Sequence, residues 1–242
     1  MSMSKSVISL LLLGLAAVLA SGCSELPPRV EATPAAMAKV KSIAVVRPPE
    51  TKTYAVVDLT PSVAEAFGLI GALVASSAQD KKQEKLTAAI KAQPGLPPVK
   101  TLADVIAAQL AKHGFSVTET DSGWVQEDGQ YKFDPAKLDS GADAVLLVEP
   151  RSVGFLMQTS ATGFQPAITA TVTLLGKDRK ETLYRGYHSC NWGMGDKQWK
   201  NVSTPGSFAD FDKVLADPKM AAGSLNSAAG LVAASVAEDI RH

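Results

Sequence analysis

"AITATVTLLGKDRKETLYRGYHS", residues Ala167 to Ser189, is the stretch on which the fold turns. Ile168, Ala170, Val172 and Leu174 alternate with Thr169, Thr171 and Thr173, the spacing of a strand that buries one face. Gly176-Lys177-Asp178-Arg179 then supplies turn chemistry before a second strand-like run. The pattern predicts an antiparallel hairpin with one face buried, so a sheet must extend on at least one side of it.

Upstream, "GADAVLLVEP" (Gly141 to Pro150) is the most apolar short run of the body and reads as a central strand. Ile43-Ala44-Val45-Val46, ended by Pro48-Pro49, suits a strand buried on both faces, and "TYAVVDL" (Thr53 to Leu59) suits another. A helix is expected from Thr101, where Thr101 and Asp104 have capping-box spacing, to His113, with Gly114 placed to terminate it. "FSVTET" alternates like a half-buried strand, and Asp128-Gly129 marks a hairpin inside "WVQEDGQYKF". Asp80 to Lys100 begins as a solvated charged helix and breaks at Pro94-Gly95 and Pro97-Pro98. The last segment brings Leu225, Ala229, Val232, Val236 and Ile240 onto one stripe of an amphipathic helix that would cover the sheet. The expected fold class is therefore α/β or α+β, a mixed β-sheet with an antiparallel hairpin covered by amphipathic helices.

At the other end, Val7 to Ala20 is an apolar run after a single Lys5, too short for the ~20 residues of a permanent span. It leads into Leu19-Ala20-Ser21-Gly22-Cys23, which resembles the bacterial lipobox. That resemblance implies a signal peptide over 1–22, diacylglycerol and a further acyl chain (palmitate-type lipidation) on Cys23, and, from Ser24, an outer-membrane destination. The Pro- and Ala-rich stretch that follows reads as a lipidated tether over 23–39, mobile, in front of one periplasmic domain over 40–242. The order "KSIAVVRPP", helix, "LADVIAAQLAKHGFSVTE", "GADAVLLVE" and closing hairpin, about residues 40 to 190, weakly resembles periplasmic lipoproteins whose domain is similar to the amino-terminal domain of the Tol-system propeller protein or to the curli-secretion lipoprotein. This resemblance implies a helper or assembly role at the envelope and carries no functional residue with it.

Charge names no partner. Basic and acidic side chains balance at 24 each, which argues against nucleic acid and against recognition of an anionic surface by the whole molecule. With Cys23 acylated, Cys190 has no mate for an intrachain disulfide, and no cysteine pair or His cluster suggests a metal or a cofactor. The histidines are His113, His188 and His242. His188 and Cys190, two apart on a strand end and so on one face, are the sole candidates for a thiol-dependent or cell-wall hydrolase, although no nucleophile-elbow motif accompanies them.

Two other segments are candidate interaction surfaces. "CNWGMGDKQWKNVSTPGSFADF" (Cys190 to Phe211) fits no regular element and carries Trp192 and Trp199, which either present a ligand or peptide surface or fold back on the core edge. In the expected helix Val63 to Ala78, Gly68, Ala72 and Ser76 form, with Ala64, a smooth stripe suited to close helix packing or to insertion into a membrane as an oligomer. The reading that follows is a lipid-anchored, non-enzymatic envelope lipoprotein that binds an envelope protein or itself, with no cofactor and no nucleic acid, and with its small-molecule ligand, if any, undetermined.

Overall fold

The computed structural model describes residues 26–60, 78–95, 97–128, 130–192 and 197–241. The signal peptide, Cys23 and the Gly68, Ala72 and Ser76 stripe lie outside them. So does Val63 to Ala78 apart from its last residue.

Nine strands run in chain order as β1 Ser42–Val46, β2 Ala55–Asp58, β3 Ser116–Thr120, β4 Trp124–Glu127, β5 Gln130–Phe133, β6 Ala144–Met157, β7 Gln165–Gly176, β8 Thr182–Cys190 and β9 Trp199–Val202 among the described residues. The helices are α1 Pro34–Met37, α2 over 78–91, α3 Pro98–Lys112, α4 Phe211–Ala216 and α5 Pro218–Ile240. The main sheet has the order β3-β1-β6-β7-β8-β9, with β2 also paired to β6. The pairs β1–β3, β1–β6, β2–β6 and β8–β9 are parallel, and β6–β7–β8 is an antiparallel meander. The class is mixed α/β, with β4 and β5 as a separate antiparallel hairpin.

β6 organises the sheet. Its first residues, Ala144 to Leu147, lie beside β1, while Gly154 to Met157 lie beside β2, so one 14-residue strand serves two short ones in tandem. Between them the register slips at Pro150/Ser152, leaving Arg151 as the extra residue of a bulge. A bulge is where a proline, which has no N–H to give the ladder, is tolerated inside a sheet. The expected strand ended at Pro150; it runs seven residues further because the bulge absorbs the proline.

The amphipathic stripes do what their spacing predicts. α5 buries Leu225, Ala229, Val232, Val236 and Ile240, and packs on α3, β7 and β8. At ~1.5–3 kcal/mol for each large apolar side chain, this stripe is a main source of cohesion. α5 is also long and apolar enough to cross a membrane, but half of its apolar window is buried in the core. α3 begins a turn earlier than expected, with Pro98 at its first position and Pro97 as the capping residue. Val99 extends the buried stripe of Leu102, Ile106 and Leu110, and proline suits the first helical turn, so Thr101 is interior and caps nothing. The helix ends at His113, with Gly114 at φ 91°. In α2, Leu86 and Ile90 enter the core, so its charged run is only its outer face.

Two further expectations change. The threonine face of β7 is buried as well: Thr169, Thr171 and Thr173 sit in register between Ser152, Glu149 and Leu147 on one side and Ser189, Tyr187 and Arg185 on the other. Those neighbours cover the small threonines. The segment expected to be a mobile tether is docked from Leu26 onward. Val30 exchanges both backbone hydrogen bonds with Arg185 at the edge of β8, at 3.0 and 2.8 Å, the Tyr187 hydroxyl donates to the Pro27 carbonyl at 2.6 Å, and Thr33 caps α1.

Candidate functional site

Two polar centres stand out, one open and one sealed. The open one is a groove of about 540 Å³ beyond the carboxyl end of β1, which runs parallel to β6, lined by the 48–53 loop, Trp124, Tyr131 and the bulge of β6. It exists because β1 and β2 share β6. From Val148 to Val153 no described strand pairs β6 on this side, and the loop arches over the gap. Crevices beyond the carboxyl ends of parallel strands are where α/β sheets receive ligands, and the volume falls in the ~300–1,000 Å³ range of small-molecule sites.

Its chemistry is mixed. Glu50, Lys52, Glu149 and Arg151 supply both signs, and Trp124 and Tyr131 supply aromatic surface. Trp124 is held by its indole N–H donating to the Arg47 carbonyl at 2.7 Å and by an edge contact to Phe133 at 5.8 Å, whereas Tyr131 is 45% exposed. Burial raises the Glu149 carboxyl above the usual range, and the guanidinium groups of Arg151 and Arg185 oppose that rise. Arg151 is oriented by donating from Nε to the Thr171 hydroxyl at 3.1 Å. The groove can therefore bind, by stacking and by paired charges, an extended or zwitterionic group.

The sealed centre is His188. Its Nε2 lies 2.6 Å from the Tyr184 hydroxyl and its Nδ1 3.1 Å from the Ser235 hydroxyl; Tyr184 also reaches Asp239 at 3.1 Å. One proton assignment satisfies the whole chain: Ser235 donates to Nδ1, Nε2–H donates to Tyr184, and Tyr184 donates to the Asp239 carboxylate. The imidazole is then neutral, and burial pushes its pKa down to about 4, with Asp239 opposing that shift. Asp239 in turn accepts from Lys200 at 2.6 Å and from Arg29 at 3.2 Å, and stays below the usual carboxylate range despite its burial. Gly186 makes this possible. Tyr184 lies along the strand over residue 186 to reach His188, and a Cβ there would land on both the Tyr184 hydroxyl and His188 Nε2.

This geometry answers the question posed by His188 and Cys190. Both are fully buried, and both ring nitrogens of His188 are engaged by Tyr184 and Ser235, so neither is free to act as base for a thiol. Burial pushes the Cys190 thiol up to about 11, partly offset by a backbone hydrogen bond from Thr204. A buried thiol of raised pKa is an inert one. Among the described residues no group of three or more His, Cys, Asp or Glu side chains could hold a metal ion.

Trp192 and Trp199 are separated by the structure. Trp199 opens β9, an element absent from the expectation, and packs against Tyr187 at 5.6 Å, as the fold-back reading has it. The four-residue strand is too short for its pattern to be legible. Asn201 Oδ1 ties it to the end of β8, accepting from the Ser189 hydroxyl at 3.0 Å and from the Trp192 backbone N–H at 3.2 Å. Trp192 is half-buried. Neither tryptophan lines the groove. Sequence reading missed Glu149, Arg151, Trp124 and Tyr131 as a group; the proline within an otherwise strand-like run at Pro150 was the one local signal of the bulge that gathers them.

No protein-family model and no curated protein matches the chain. Solved structures similar to it include the PelC dodecamer from Paraburkholderia phytofirmans, at 11% identity over 84% of this chain and 91% of that one, with a TM-score of 0.35. A variant of that dodecamer matches at 11% identity over 90% and 96%, with a TM-score of 0.36. Lipoprotein GNA1162 from Neisseria meningitidis matches at 19% identity over 64% and 85%, with a TM-score of 0.28. Likeness at this level assigns no function.

Proposed function

We propose that the protein is a lipid-anchored, non-enzymatic envelope module that binds a partner through the groove between β1, β2 and β6. The observation that carries the binding part is the gap in the sheet itself, an open site at the carboxyl end of the parallel strand β1 with Trp124 held and Arg151 oriented at its wall. The anchor part rests on Leu19 to Cys23 and the apolar run before it. The non-enzymatic part is supported by the engagement of His188 and the burial of Cys190.

A photo-crosslinking residue in place of Tyr131, in the intact cell, tests the binding part against the same residue in place of Met220, which is exposed on α5. A discrete product from position 131, absent from position 220 and abolished by Arg151→Glu, supports it. Equal or absent crosslinking at the two positions overturns it. Metabolic labelling with an acyl-chain analogue, lost on Cys23→Ala, tests the anchor.

A further inference from the structure

We infer that the body rests on the lipid surface by the end formed by the docked N-terminal segment, β9 and the C-terminus of α5, with the headgroup layer as the partner of that face. The inference deepens the anchor reading and rests on it.

Residues 26–33 act as a strap. Pro27 accepts from Tyr187 at 2.6 Å, Val30 pairs with Arg185, and Arg29 donates to the Gln198 carbonyl at 3.1 Å and to Asp239 at 3.2 Å. The last two bonds clamp the strap to the start of β9 and to the end of α5. Only Ser24 and Glu25 separate the lipid-bearing Cys23 from Leu26, and at ~3.5 Å per residue the attachment point cannot stand more than about 10 Å from the docked chain. A free tether over 23–39 would instead allow a root-mean-square separation of ~20 Å or more, with the body free to tumble. The strap also sets what faces away. β9 and β1 are four strand spacings apart in the sheet order, ~19 Å at ~4.8 Å each, so the groove beside β1 stays clear of the headgroups.

The test uses the mature lipidated protein in phosphatidylcholine vesicles containing a lipid with a headgroup-level fluorescence quencher. A fluorophore is placed on Lys197→Cys, at the strap end, or on Lys132→Cys, exposed on β5; Cys190 is buried and does not compete for label. The expected result is quenching several-fold stronger at position 197 than at 132. That difference shrinks when the strap is freed by Arg29→Ala with Tyr187→Phe, while the protein still floats with the vesicles. Flotation with equal quenching at both positions overturns the inference and leaves the anchor standing. Loss of flotation in the parent protein overturns the anchor reading, and the inference with it. The comparison of positions 197 and 132 in the parent protein decides the matter even if the freed-strap variant does not fold.

Discussion

The His188 centre and the groove beside Pro150 are built from the same kinds of residue and end in opposite states. Around His188, hydroxyl, imidazole and carboxylate close into a chain with every donor matched, its Tyr184, His188 and Ser235 members buried and only Asp239 partly exposed. In the groove, Glu149 and Arg151 lie partly exposed in a gap that the strand pairing leaves open. The difference teaches that reactive residue types mark a site only when their hydrogen-bonding capacity is left unspent. His188, the most conspicuous side chain in the sequence, has none left, whereas Glu149 and Arg151 in the groove stay partly exposed.

The contrast can be broken most severely at Gly186. Gly186→Ala drives a methyl into the Tyr184–His188 contact, and unfolding in urea should show a loss of about 3 kcal/mol or a failure to fold. Next is acidification. His188 is depressed from 6.5 to about 4, so the folded state resists a proton that the unfolded state accepts. The stability it contributes is complete above pH 6.5, falls as the pH drops below that, and is gone by about pH 4, a loss of roughly 3 kcal/mol. Asp239, depressed below 3.8, adds its own loss only at still lower pH. Urea midpoints measured across that range should fall for the parent protein and flatten for His188→Gln.

Arg29→Ala removes one partly buried ion pair and should cost about 1 kcal/mol or less globally. Amide exchange of Val30 and Arg185 should nevertheless accelerate, because strap opening is a local event. Smallest of all, Glu149→Gln and Arg151→Ala should shift stability within about 0.5 kcal/mol while abolishing the crosslink from position 131. If the groove variants destabilise as much as those of the His188 centre, the division between an open site and a sealed one fails.

Much of the fold was legible because it rests on local periodicity. The alternation of Ile168 to Leu174, the stripe from Leu225 to Ile240 and the short runs Trp124 to Glu127 and Gln130 to Phe133 each carry their structure in their own spacing. What escaped depends on partners distant in sequence. The continuation of β6 past Pro150 needs β2, nearly a hundred residues upstream, to pair with it. The burial of Thr171 needs Glu149 and Tyr187 beside it, and β9 exists only against the edge of β8. The strap is the extreme case: a Pro- and Ala-rich composition reads as linker, and the bonds that dock it come from Tyr187, Gln198 and Asp239, far along the chain. The site was less legible than the fold, since Trp124, Tyr131, Glu149 and Arg151 share no motif and meet only across the bulge.

The carboxylate of Asp239 has a mechanical consequence as well. Through Arg29 it joins the first docked segment to the last helix, so tension arriving at the N-terminus is passed to α5 and to β8. The load path runs along one border of the sheet and bypasses the β1–β6–β2 gap. Tension applied at the N-terminal segment would thus leave the groove in shape while the strap takes the strain.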